Sequence, residues 1–123
     1  MSLTRLTRRI LPAAAALLLS ATGLATAGQQ DFALSNRSGY RIATVEVSPS
    51  SSRNWGPDIL GQDVLDNGRT LNVSFPNNTS ACAFDLRVTF SDGDQGTLSN
   101  VDLCSVSAIS VAWRNNRAEF TTR

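Results

Sequence analysis

A tryptophan inside an otherwise polar run is the first feature of this sequence with chemistry to offer. Trp55 stands between Asn54 and Gly56, after Ser50, Ser51, Ser52 and Arg53. An aromatic face ringed by short hydrogen-bonding side chains makes a stacking platform for a sugar ring or for a partner's side chain. Trp55, Ser51, Ser52, Arg53 and Asn54 are therefore the candidate ligand-binding residues. The competing expectation is that the ring folds back over Ile59, Leu60 and Leu65 and caps the open end of a β-sandwich, since Trp buries a large apolar area.

Carboxylates form a second group. Asp58, Asp63 and Asp66 fall in one stretch, and Asp92, Asp94 and Asp102 in another. Calcium takes six to eight oxygens, commonly from closely spaced carboxylates and carbonyls. Asp92-Gly93-Asp94 supplies only two carboxylates, with no regular acidic ladder and no distal Glu, so Asp92 and Asp94 are weak calcium candidates. An Asp in a turn more commonly bonds its own neighbouring backbone. Two carboxylates at suitable separation could also hydrolyse a glycosidic bond, but sequence spacing shows no cleft.

Other chemistries are closed by composition. The chain has no His, and all 11 of its basic residues are Arg. It therefore lacks an imidazole base, a His metal ligand and a Schiff-base lysine. Serine catalysis lacks its His, and no G-x-S-x-G is present. No catalytic residue, no cofactor and no metal set is expected. The three N-x-S/T sequons, at Asn36, Asn72 and Asn78, read as chance occurrences.

Cys82 and Cys104 are the only cysteines. An oxidising compartment and a small domain make one disulfide the expectation. Their spacing is not that of a C-x-x-C redox pair, and two Cys without His would leave a zinc site half-liganded. Midway between them, Ser91-Asp92-Gly93-Asp94 is a turn signal. Before it, Phe84, Leu86, Val88 and Phe90 alternate with polar residues, as in a half-buried strand. Thr97–Leu103 reads as the returning strand, which sets the cysteines facing each other across a hairpin. Val101 and Leu103 want the core face, which puts Cys104 on the other parity. A bulge or a longer turn would settle that register.

The elements that must position these residues are strands. Residues 31–36 alternate through Phe32 and Leu34, and Asn36-Arg37-Ser38-Gly39 makes a turn. Residues 40–47 alternate through Ile42 or Ala43, then Val45 and Val47. The run from Ser48 to Pro57 is loop, and residues 58–65 are a short helical turn or irregular coil. Asp66-Asn67-Gly68 turns the chain into Leu71, Val73 and Phe75. Residues 106–113 and 118–122 form a last hairpin around Arg114-Asn115-Asn116, with Trp113 in the core. About seven strands with short turns predict an all-β fold, an antiparallel β-sandwich or small barrel.

Residues 1–27 read as a cleaved signal peptide: Arg5, Arg8 and Arg9, then an uncharged run to Ala27, with Ala25 and Ala27 preceding cleavage before Gly28. Thr7-Arg8-Arg9-Ile10-Leu11 partly matches a twin-arginine motif, but a Sec signal fits better. A single β domain then spans 28–123, with eight arginines against ten acidic residues and a net charge of −2. That balance offers nothing to a phosphate backbone, so no nucleic-acid partner is expected. The mature chain has no segment apolar enough to span a membrane stably.

The strings NRSGY, SPSSSRNWGPDILGQ, FDLRVTFSDGD and NVDLC resemble a group of small uncharacterised secreted bacterial proteins over nearly all of residues 28–123. The resemblance implies export and carries no activity across. The reading is of a secreted or periplasmic binding or structural module, non-enzymatic, with a protein or carbohydrate partner. The alternatives are a membrane-active (pore-forming or surface-binding) β domain and a carboxylate-based hydrolase.

Overall fold

Alternation of apolar and polar residues passes directly into strands in the computed structural model, which describes residues 28–123. The expected signal peptide lies outside the described residues. Seven strands follow in order: β1 (Phe32–Asn36), β2 (Ile42–Pro49), β3 (Thr70–Val73), β4 (Ala83–Phe90), β5 (Gln95–Asp102), β6 (Ala108–Arg114) and β7 (Arg117–Thr122). They form a four-stranded sheet, β3-β1-β6-β7, and a three-stranded sheet, β2-β4-β5. The fold is an open sandwich, not a closed barrel. No helix occurs among the described residues, so residues 58–65 are irregular, with turns around Gly61 at φ 63°.

One pairing departs from the antiparallel expectation. β1 runs parallel to β6, with Leu34 opposite Ile109 and Asn36 opposite Val111. The chain reaches this arrangement because β1 crosses to β2 in the other sheet instead of turning back on itself. β1 thereby becomes an interior strand, with β3 antiparallel on its other side.

Both sheets turn apolar faces inward. Phe32, Leu34, Val73, Ile109 and Val111 from one meet Ile42, Val45, Phe84, Leu86, Val88, Phe90 and Val101 from the other, all buried. The choice between Ile42 and Ala43 is settled by a bulge: the β2–β4 register shifts between Ile42 and Thr44, which sends both Ile42 and Val45 to the core. The β4–β5 hairpin uses the same device. Its register shifts between Phe84 and Leu86, leaving Ser99 and Asn100 opposite Asp85. Asn100 takes φ 58°, and its N–H donates to Asp85 Oδ1 at 2.8 Å. With that extra residue, Val101 and Leu103 are both buried and Cys104 is carried back to Cys82. The disulfide closes with Cα atoms 5.2 Å apart.

Each edge is managed in its own way. The loop after β2 lies along that strand's free side: Ile42 and Leu65 exchange backbone hydrogen bonds, and Ile59 N–H donates to Val45 O at 2.8 Å. This blocks strand addition at β2. On the opposite flank β5 and β7 meet closely at Gly96. A Cβ placed there would collide with the Ala118 Cβ. Overpacking of this kind typically costs about 1–3 kcal/mol, so Gly96→Ala should melt several degrees below the parent in a thermal denaturation scan. An unchanged melting temperature would show that β7 moves away freely.

Candidate functional site

Two hollows on the surface each set a tryptophan beside polar or charged side chains; a third, between Ile59 and Leu71, holds Asp63, Asp66 and Arg69 without an aromatic ring. The first contains most of the sequence-derived candidates. Gly56 N–H donates to Ser48 Oγ at 2.7 Å, and Asp58 Oδ1 accepts from Val45 N–H at 2.9 Å and Leu60 N–H at 3.0 Å. These bonds hold the loop against β2 and carry Trp55 across it. The ring does not cap the sandwich over Ile59, Leu60 and Leu65. It lies on the outward side of the three-stranded sheet, where the Arg87 guanidinium sits 4.6 Å from its centre. Arg87 Nε also donates to Glu46 Oε1 at 2.8 Å. That hydrogen bond raises the Arg87 pKa above its ordinary value, against a smaller opposing effect of desolvation; a guanidinium is charged at any working pH in either case.

The reason lies in strand parity. Arg87 stands between Leu86 and Val88, so it faces outward and offers Trp55 an aliphatic stem and a charged plane. Ser48, Ser52, Arg53, Asn54, Trp55 and Asp85 surround a hollow of about 90 Å³. Ser51 is exposed and does not line it. Much of the local polarity is already engaged. Ser52 Oγ accepts from Asn54 N–H, and Asp85 Oδ1 accepts from both Ser50 Oγ and Asn100 N–H.

The acidic candidates fall in two separate places, Asp63 and Asp66 beside one hollow and Asp92 and Asp94 beside another. Asp58 is committed to backbone amides, and Asp66 pairs with Arg41 at 2.7 Å. Among the described residues the one grouping of three metal-type ligands is Cys82, Asp102 and Cys104. Both of its sulfurs are already spent in the disulfide. Asp92 and Asp94 are not part of any such group. Of the sequons, Asn36 is fully buried, which bars a glycan there, while Asn72 and Asn78 are exposed.

Asp92 and Asp94 instead belong to a second site. At the turn end of the sandwich, Tyr40, Phe90, Asp92, Asp94 and Trp113 line a half-open pocket of about 190 Å³. Trp113 is its centre. Its ring meets Tyr40 at 6.1 Å and Phe90 at 5.4 Å between centroids, both edge to face at 78° and 82°. Phe90 is buried and Trp113 packs against the core, but Tyr40 is 56% exposed. The carboxylates arrive on the β4–β5 turn. Gly93 takes φ 97°, and Asp92 Oδ1 accepts Asp94 N–H at 3.0 Å.

Tyr40 is held by its backbone. Asn36 Nδ2 donates to Tyr40 O at 2.7 Å and to Leu65 O at 2.9 Å, while Asn36 Oδ1 accepts from Ser38 N–H and Ser38 Oγ. Every polar atom of this fully buried amide is used. The Asn-Arg-Ser-Gly-Tyr turn therefore positions an aromatic wall of the pocket. Trp113 packs against the core as its alternation predicts, but sequence reasoning missed that it also faces this pocket. The available signal was Tyr40, a large aromatic placed straight after a turn.

No protein-family model matches this sequence, and no curated protein matches it. Among solved structures, an NMR structure of a protein from Eubacterium rectale is similar to this fold. It aligns with a TM-score of 0.55 and 13% identity, over 75% of this chain and 85% of that one. At that identity the likeness concerns the fold alone.

Proposed function

We propose that this chain is an exported, non-catalytic binding module whose recognition site is the pocket of Tyr40, Phe90, Asp92, Asp94 and Trp113. The observation that carries the reading is the aromatic wall itself: a half-exposed Tyr leaning on Trp113 at the mouth of a cavity, beside two carboxylates. A concave apolar surface with a few convergent polar groups is the usual form of a binding site. The lining holds no hydroxyl or thiol nucleophile beside a base other than the Tyr40 phenol, and Asp92 is already engaged by the Asp94 N–H, which favours binding over turnover. Export is supported by the Cys82–Cys104 cross-link, which belongs to an oxidising compartment. The Trp55 hollow is the weaker candidate, because Arg87 already occupies that ring and the hollow is smaller.

Two-dimensional NMR with a library of small fragments tests the proposal. Shift changes should gather on Tyr40, Phe90, Asp92, Asp94 and Trp113, and Tyr40→Ala should weaken them. Changes confined to Ser52–Trp55, or to neither place, would overturn it.

A further inference from the structure

We infer that this pocket takes a donor-bearing organic cation, in first place the guanidinium of an arginine side chain presented by a partner. The inference rests on the binding reading above and names its ligand class. The lining is rich in acceptors and poor in donors: two carboxylates and a phenol oxygen against one indole N–H and one phenol O–H. A sugar offers hydroxyls that both donate and accept, and would find few donors here. A guanidinium offers five N–H donors and no acceptor, and its plane stacks on aromatic faces.

The charges point the same way. Among the described residues the ion pairs are Arg41–Asp66 and Arg87–Glu46, so neither Asp92 nor Asp94 has a cationic partner. Arg114 and Arg117 lie opposite each other one position beyond Trp113. By strand alternation they project to the outer face of the sheet, away from the pocket side of Trp113. The pocket thus presents two uncompensated negative charges against edge-to-face rings, an arrangement that attracts a cation through both the carboxylates and the ring quadrupoles. A quaternary ammonium would satisfy the rings but bring no donor to the carboxylates.

The test uses the Trp55→Phe protein, which leaves Trp113 as the single tryptophan of residues 28–123, excited selectively over Tyr40 at the red edge of indole absorption. Acetyl-arginine-amide is titrated beside acetyl-citrulline-amide, its uncharged near-isostere, and beside tetramethylammonium and glucose. The arginine compound should give a saturable change in Trp113 emission at millimolar concentration, and citrulline should bind at least tenfold more weakly. Asp92→Asn with Asp94→Asn should weaken arginine binding at least fivefold while leaving the melting temperature within a few degrees. Added salt should weaken it further.

Equal binding of citrulline overturns the inference, as does an unaffected double Asn variant. Tetramethylammonium binding more tightly than the arginine compound overturns the donor-bearing assignment. Glucose alone perturbing Trp113 would leave the pocket as the recognition site and remove the cation. Silence from every probe, together with silent fragment mapping, removes both readings.

Discussion

Asn36→Ala should lower the unfolding free energy by about 2–4 kcal/mol, since a buried polar group stripped of its partner costs about 1–3 kcal/mol and each further hydrogen bond lost about 0.5–1.5 kcal/mol. The substitution strips the Ser38 N–H of its acceptor and removes one of the two donors to each of Tyr40 O and Leu65 O, which keep Ser38 Oγ and the Ile42 N–H. A small domain holds only about 5–15 kcal/mol in total, so the variant should be marginal at 37 °C. Urea denaturation followed by circular dichroism measures the loss, and a decrease below about 1 kcal/mol would show that the network merely accompanies the turn. Asn36→Asp sharpens the point. A carboxylate at this fully buried position faces two carbonyl oxygens, which raises its pKa in the folded state above its unfolded value. The folded form then binds the extra proton, so the variant should gain stability as the pH falls from neutral toward the unfolded carboxyl pKa. The parent lacks this group and should lack that acid-side gain. Because Asn36 also holds Tyr40, binding at the aromatic pocket should weaken in whatever fraction of Asn36→Ala remains folded.

Replacing both cysteines with Ser should cost about 3 kcal/mol, the chain-entropy value for a closed loop of this size. The expected fall in melting temperature is roughly 10–25 °C for a domain of this length. The bond spans a sequence separation of 22 and encloses the whole β4–β5 hairpin, so most of its effect lies in the unfolded chain. Folded, the hairpin retains its ladder from Ala83–Asp102 to Thr89–Gln95, and the reduced protein should keep its β-sheet spectrum. Calorimetry with and without reductant checks this, since no free cysteine complicates the comparison among the described residues. A shift of only a few degrees would mean that the hairpin loop is already closed in the denatured state.

Strands that alternate over their whole length were legible from residue order. Phe84, Leu86, Val88 and Phe90 announce β4, and the parity conflict at Val101, Leu103 and Cys104 announces the bulge that Asn100 makes. The parallel β1–β6 pair was not legible, because strand adjacency across most of the chain leaves no local trace. The aromatic pocket was hidden for the same reason: Tyr40, Phe90 and Trp113 come from three distant segments, and each taken alone looks like core. Of the two settings expected for Trp55, the cap over Ile59, Leu60 and Leu65 fails because Arg87 offers the ring a comparable surface on the outward parity of β4.

The position of β1 between β3 and β6 bears on biosynthesis. Ala33 pairs with Ala108 and Leu34 with Ile109, so β1 has to wait for a partner that is synthesised after every other strand it could contact but β7. Until β6 leaves the ribosome, the four-stranded sheet lacks an inner member, and the three-stranded sheet has no complete face to close against. Late long-range pairing makes folding slow. The four-stranded sheet of this design therefore assembles only once the β6–β7 hairpin is in hand.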